Sequence, residues 1–234
     1  MINSIIERNR RISPLSESEK KIIASAVKLF LQNGYSQTTL KMISADCGLR
    51  QGTIAYHYHT KEDMLRHLVE ELMDYHSDII EDSQEETEDE LFSYAMEIAV
   101  QIALCENDRK AWDIYYSAYS NPHTFEHIKN WGAKKNYMLF KERLPYWSES
   151  DFRNIENITS GMELSALTSP CDRYYTLKDK INLTIDSMLK IYEIPKEERE
   201  KVLEKIENFD CEKIGNELFD KFVKRLDNDI EQNE

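Results

Sequence analysis

The chain has 234 residues, with 30 Lys/Arg against 44 Asp/Glu, a formal net charge of −14, six glycines, five prolines and four cysteines. That length buries a full core without help from a disulfide or a metal, and the low glycine and proline content favours helices over a turn-rich all-β fold. Cys47, Cys105, Cys171 and Cys211 lie far apart, without the spacing of a zinc site or disulfide framework, so a reduced cytoplasmic setting with no metal or cofactor is expected.

The opening residues carry charge without a following apolar stretch, which argues against a signal peptide. No run of about 18 apolar residues suggests a membrane span. The net acidity alone argues against nucleic acid, but its distribution does not. Residues 1–70 carry ten Lys/Arg and seven Asp/Glu, whereas residues 71–234 carry twenty and thirty-seven. A basic head on an acidic body suits a DNA-binding module joined to a domain of another kind.

In chain order, residues 1–15 read as a flexible basic arm with Arg8, Arg10 and Arg11. Ser16 and Glu19 then form a capping-box pattern. Ile22, Ile23, Ala26, Val27 and Phe30 follow at helical spacing, and Asn33-Gly34 closes that helix. A short second helix is predicted with Thr38 as N-cap and Leu40 and Ile43 facing inward, ended by Gly48. A third spans roughly Gln51 to Tyr56. Three short helices with glycine in the last turn form a helix-turn-helix pattern. Thr60 and Asp63 cap a fourth helix, lined by Leu65, Leu68, Val69, Leu72 and Met73, that connects head to body. Residues 83–89 read as an acidic loop. The body is predicted to be helical over 88–105, 108–118, 122–142, 151–168, 175–193, 196–208 and 210–227. The expected architecture is therefore all-α: a three-helix helix-turn-helix domain at 16–62 and a helical regulatory bundle at 63–234, concerned with ligand binding and dimerisation.

A helix-turn-helix inserts its second helix in the major groove. That helix would carry Arg50, Gln51, Gly52, Thr53, Tyr56 and His57. Arg pairs with guanine, Gln with adenine, and Thr touches the thymine methyl. Glycine lets the backbone approach closely. Thr38 and Thr39 are placed to meet a phosphate, and Lys61 to clamp one. Each of these residues also has a plainer role available, as solvated surface or core aromatic.

Residues 34–65, GYSQTTLKMISADCGLRQGTIAYHYHTKEDML, resemble the DNA-binding domain of the TetR family of transcriptional regulators. The resemblance rests on Phe30, Gly34, Thr38, Thr39, Ile43 and Gly48, then Gly52, Thr53, Ile54, His57 and Tyr58, then Thr60, Lys61, Glu62 and Leu65, all in register. It is specific for about residues 18–75. It implies a homodimer on a palindromic operator, usually a repressor released by a small molecule. Three positions depart from the family pattern: Arg50 replaces a serine, Ala55 a tyrosine, and Ser44 an alanine. Tyr56 is placed to take over the tyrosine's contact.

The middle of the body is rich in aromatic residues. Trp112, Tyr115, Tyr116, Tyr119, Trp131 and Phe140 are candidates to line an apolar ligand cavity, although a plain packed core is the simpler reading. The expected effector is therefore small and apolar or aromatic. Dimerisation is expected on 151–168, through Gly161, Ser165 and Ala166, and on 175–193, through Ile181, Ile185, Met188, Leu189 and Tyr192. The main competing reading is a helical-bundle enzyme or metal protein, with His123 and His127 at i,i+4 and Glu126 or Glu163 as partner. The HExxH order is absent. A pure protein-interaction bundle would leave the basic head and its motif unexplained.

Overall fold

The structure is a computed structural model that describes residues 16–69, 72 and 90–231. The predicted arm, the acidic loop at 83–89 and all but Leu72 of the connecting helix beyond residue 69 lie outside the described residues. Those described form an all-α chain with no strand among them: α1 (Glu17–Asn33), α2 (Leu40–Cys47), α3 (Gln51–His57), α4 (61–69), α5 (Glu90–Asn107), α6 (Arg109–Ser120), α7 (Pro122–Phe140), α8 (Glu149–Thr168), α9 (Leu177–Ile191), α10 (Lys196–Glu207) and α11 (Cys211–Glu231).

Local chemistry explains most boundaries. Ser16 and Glu19 close a reciprocal capping box on α1, and the Gly34 N–H, at φ +87°, donates to the Phe30 carbonyl. Thr60 and Asp63 cap α4 in the same way. Ser148 with Asp151 and Thr176 with Asp179 repeat the device on α8 and α9. Such boxes satisfy two of the N–H groups that a helix start leaves without partners. Pro122 occupies the first turn of α7, where its missing N–H is harmless. One cap differs from expectation. Thr39, not Thr38, is the N-cap of α2 and accepts from the Met42 N–H.

In the head, Ile22, Ala26 and Phe30 of α1 meet Ile43 of α2, Ile54 of α3 and Met64, Leu65 and Leu68 of α4 in one apolar core. Phe30 also packs on Tyr35, with ring centroids 5.1 Å apart. The body is organised around α5, which is buried on nearly every side and packs against α6, α8, α9, α10 and α11. A helix apolar all round belongs inside a bundle. The head docks on the body through α1, which lies against α6 and α11.

The predicted dimer residues divide. Ile181, Ile185, Met188, Leu189 and Tyr192 all point into the body's own core, and so does Ala166. They complete the bundle around α5 and are not available to a partner. Gly161 and Ser165 remain on the surface. The apolar side chains that α8 and α9 show to solvent are instead Ile158, 56% exposed, and Leu183, 59% exposed.

Candidate nucleic-acid interface

The turn between α2 and α3 is built to hold α3 at a fixed angle. Gly48 takes the left-handed conformation at φ +71°, where a side chain would be strained. The Ser44 hydroxyl donates to the Leu49 carbonyl at 2.6 Å across that turn. The serine that departs from the family pattern thus acquires a staple that alanine would lack. On the other side of α2, Asp46 accepts from Ser25 Oγ at 2.5 Å and Lys28 Nζ at 2.9 Å, tying α2 to α1. Burial raises the Asp46 carboxyl pKa, but the bonds from Ser25 and Lys28 outweigh it and hold the group below its ordinary value.

Ile54 and Tyr58 anchor α3 inward. The opposite side presents Arg50, Gln51, Gly52 and Tyr56 to solvent, with Tyr56 80% exposed. Arg50 is the N-cap of α3 and makes no side-chain capping bond, so its guanidinium is not spent on the helix end. Thr53 and His57 are half-buried at the edges of this face. His57 Nδ1 lies 3.9 Å from Glu19 of α1, which turns that ring toward the head.

Two predicted contacts sit elsewhere. Thr38 is only 1% exposed, and its hydroxyl donates to the Leu29 and Gly34 carbonyls at 3.0 and 2.9 Å. It closes the α1–α2 corner and cannot reach a phosphate. Lys61 Nζ donates to the Tyr35 and Thr38 carbonyls at 2.8 and 3.0 Å and lies 3.9 Å above the Tyr35 ring. Burial pulls its pKa down. Its ammonium fixes the same corner from α4. Sequence reading passed over Lys41, which stands exposed on the first turn of α2 beside the exposed Thr39. A lysine two residues after a capping threonine was the available signal.

The head is fastened to the body at that corner. Asp113 of α6 accepts from the Ser36 N–H at 2.7 Å and the Ser36 hydroxyl at 2.5 Å. A Cβ at position 34 would lie 3.0 Å from Asp113 Oδ2, so Gly34 serves both the left-handed turn and the close approach of α6.

In the body, the six predicted ligand residues do not gather. Trp112 stacks on the exposed Tyr116 with centroids 4.8 Å apart, and the Arg109 guanidinium lies 3.8 Å from the Trp112 ring. Tyr115 is core. Phe140 stacks on Tyr192, part of a packed aromatic group with Phe152 and Trp147. Of the six, only Tyr119 and Trp131 line a partly open cavity of about 40 Å³ among the described residues. Its walls are polar, with Glu97, Glu156 and Glu163 opposed by the single ammonium of Lys135. Three donors, Asn136 Nδ2, Thr159 Oγ1 and Tyr192 Oη, reach the same Glu156 oxygen at 2.9, 3.1 and 3.5 Å. Tyr119 donates to Glu163 at 2.9 Å, and Lys135 pairs with Glu97. Gly132 lets α7 approach, since a Cβ there would lie 2.7 Å from Glu156 Oε1.

The metal reading gains no support. Among the described residues, no three or more His, Cys, Asp or Glu side chains gather as a metal site. Glu126 pairs with Lys129 at 2.6 Å, and Glu163 is held by Tyr119. No helix among the described residues is long and apolar enough to cross a membrane.

Fold and surface together define a helix-turn-helix head, with a solvent-facing second helix, carried on a helical body. Residues 22–68 match the family model described as "Bacterial regulatory proteins, tetR family". The resemblance to the tetR family is thus carried by this head domain. It is 38% identical over 60 residues to the biofilm operon icaADBC negative transcriptional regulator IcaR of Staphylococcus epidermidis, a match covering 26% of this chain and 32% of that one. It is 26% identical over 146 residues to IcaR of Staphylococcus aureus, covering 58% and 76%. The chain thus spans about a third or less of the length of the first curated relatives it matches. Among solved structures, the fatty acid degradation regulator FadR of Bacillus halodurans superposes with a TM-score of 0.45 at 19% identity, covering 77% of this chain and 97% of that one, too loose a likeness to bear on function.

Proposed function

We propose that this protein is a transcriptional repressor that binds a palindromic operator as a homodimer through α3 and releases it when a small molecule enters the body. The observation that carries this reading is the face of α3, where Arg50, Gln51, Gly52 and Tyr56 stand outward on a helix locked from behind by Ile54 and Tyr58. The match of the head to the tetR family model and its likeness to a negative regulator support it. Residues 16–62 would be the DNA-binding unit and 63–234 the regulatory unit. In this reading Arg50 and Gln51 read bases, Gly52 allows close approach, and Thr39, Lys41 and Tyr56 meet the backbone, with Thr53 and His57 at the margin. Thr38 and Lys61 shape the surface without touching DNA.

Communication between the two units has a physical route. α6 carries Asp113, bound to the head at Ser36, and Tyr119, bound to the cavity wall at Glu163. Six residues of helix separate them, about 9 Å of rigid rod. A ligand that shifts Tyr119 therefore moves the corner at which α2 begins. A coupling of about 1–3 kcal/mol changes DNA affinity roughly 5–150-fold.

Binding of duplex DNA, followed by fluorescence anisotropy across a salt series, separates the roles. Gln51→Ala is expected to flatten preference among duplex sequences. Lys41→Ala is expected to weaken all duplexes alike and to reduce the slope of log affinity against log salt by about one, because one phosphate contact is lost. Lys61→Ala is expected to weaken binding with the slope unchanged. A reduced slope for Lys61→Ala would return that residue to the phosphate contacts. Loss of affinity without loss of preference in Gln51→Ala would remove Gln51 as a base reader.

The homodimer is supported by the outward stripe on α8 and α9. Ile158 and Leu183 are large, apolar and exposed, and two-fold symmetric pairing would cover both at once. Ile158→Lys together with Leu183→Lys is expected to convert a dimer to a monomer in light scattering at micromolar concentration. A wild-type monomer, or a double variant that stays dimeric, would place the interface elsewhere or remove it.

A further inference from the structure

The cavity between α5, α6, α7 and α8 is an unusual place for carboxylates. Glu97, Glu156 and Glu163 face it, and Lys135 supplies the one opposing charge. Glu156 is 3% exposed. Buried charge without a counter-charge is costly, and three carboxyls with one ammonium leave two in excess when all are ionised. A second observation is independent of the acids. Tyr94 lines the same cavity, and its hydroxyl is buried without a hydrogen-bond partner. Buried hydroxyls are ordinarily satisfied, so one left alone beside an accessible space marks a missing partner.

The chain itself demonstrates what the walls accept. The Lys135 ammonium pairs with Glu97 and lies 4.9 Å from the Trp131 ring. An ammonium between a carboxylate and an indole face is the arrangement of a cation–π site. The three glutamates do not converge as a metal site would require, which favours an extended organic cation over a metal ion.

We propose that this cavity binds the ammonium head of a small organic amine, with Glu156 and Glu163 as counter-charges and Tyr94 Oη as acceptor, and that such an amine is the effector; the last clause rests on the function proposed above. This replaces the apolar effector expected from the aromatic content of the sequence.

Proton linkage follows from the same groups. Burial, and then the charge of Glu163, raises the Glu156 pKa to about 8. Burial also raises Glu163 to about 7, with Tyr119 opposing and Glu97 adding to the shift. Tyr94, Tyr115, Tyr119 and Tyr192 are all pushed up and stay neutral. The carboxyls of the cavity therefore relieve their mutual charge by holding protons near neutral pH. A bound ammonium favours the ionised carboxylates, so binding releases protons and strengthens as pH rises through this range.

Isothermal titration of the full chain with n-butylammonium, n-butanol and butyrate at equal ionic strength tests the proposal, since the three share a tail and differ only in the head. Butylammonium is expected to bind at least about tenfold more tightly than either of the others. Its affinity should fall between about pH 9 and about pH 6, and its heat should depend on the buffer's ionisation enthalpy. Glu163→Gln should weaken it about tenfold or more. Tyr94→Phe, which removes only a hydroxyl without a partner in the chain, should fold normally and weaken it less. Equal binding of butanol or butyrate overturns the proposal. So does butylammonium binding indifferent to both substitutions, and so does the absence of heat with butylammonium at millimolar concentration. DNA affinity read alongside separates the two claims. Amine binding that leaves DNA affinity unchanged overturns the effector clause and keeps the cation site. Failure to bind DNA overturns the proposed function, while the titration still decides the site.

Discussion

Phe30→Ala is expected to destabilise the head by about 3–5 kcal/mol, the usual cost of emptying a buried phenylalanine site. Phe30 has no exposed surface, packs on Tyr35 and anchors the turn at Gly34 through its carbonyl. It therefore supports both the α1–α2 corner and the seat of α3. The loss should appear in thermal or urea unfolding and as a large drop in DNA affinity, with amine binding by the body largely retained. Destabilisation below about 1 kcal/mol would mean that the site collapses without leaving a cavity, and that Phe30 does not hold the head together.

The body has its own staple. Lys180 is 1% exposed, and its ammonium donates to Glu106 at 2.6 Å and to the Ser169 carbonyl. The other Glu106 oxygen accepts from the Cys171 N–H at 3.0 Å. One ion pair thus joins the ends of α5 and α8 to the start of α9. Glu106→Ala leaves that ammonium buried with only a carbonyl and is expected to cost about 3 kcal/mol. Glu106→Leu combined with Lys180→Met should recover much of the loss, because removing both charges also removes the desolvation penalty. A double variant as unstable as the single would show that shape and not charge matters here. Burial raises the Glu106 pKa, but the bonds from Lys180 and Cys171 more than reverse this and hold it below its ordinary value. Its contribution to stability is complete above the ordinary carboxylate range and is lost as pH falls through the lowered value.

Helix positions were legible because their signals are local. The capping boxes at Ser16 and Thr60 and the glycines at 34 and 48 declare helix ends without tertiary information, and the structure places the ends there. The solvent-facing side of α3 was legible for the same reason. Its periodicity sends Ile54 inward, which leaves Arg50, Gln51 and Tyr56 outside. Thr38 was misjudged because two adjacent threonines compete for one cap, and the loser turned its hydroxyl to nearby carbonyls. Lys61 was misjudged because a lysine's reach allows an inward carbonyl contact as readily as an outward phosphate.

The cavity was not legible, and α8 shows why. Glu156, Thr159, Ser160 and Glu163 recur at three- and four-residue steps, a pattern that reads as a solvated face. The structure turns this stripe inward and leaves Ile158 outside. An inverted amphipathic helix is what a polar cavity on one side and a partner on the other would require, but periodicity carries no sign. The aromatic count failed similarly. Phe140 packs against Tyr192, Trp112 stacks on Tyr116 and Tyr115 is core, and composition does not distinguish a packed ring from one that lines a void.

The proposed function requires α3 to read duplex DNA in a two-fold symmetric arrangement. Selection of bound duplexes from a random-sequence pool by the full chain, followed by sequencing of the bound fraction, tests it most directly. A palindromic site whose half-site centres lie about 34 Å apart, one helical turn or a multiple of it, is expected to be enriched, and Gln51→Ala combined with Arg50→Ala is expected to lose that enrichment. No enrichment over the starting pool at low salt would contradict it.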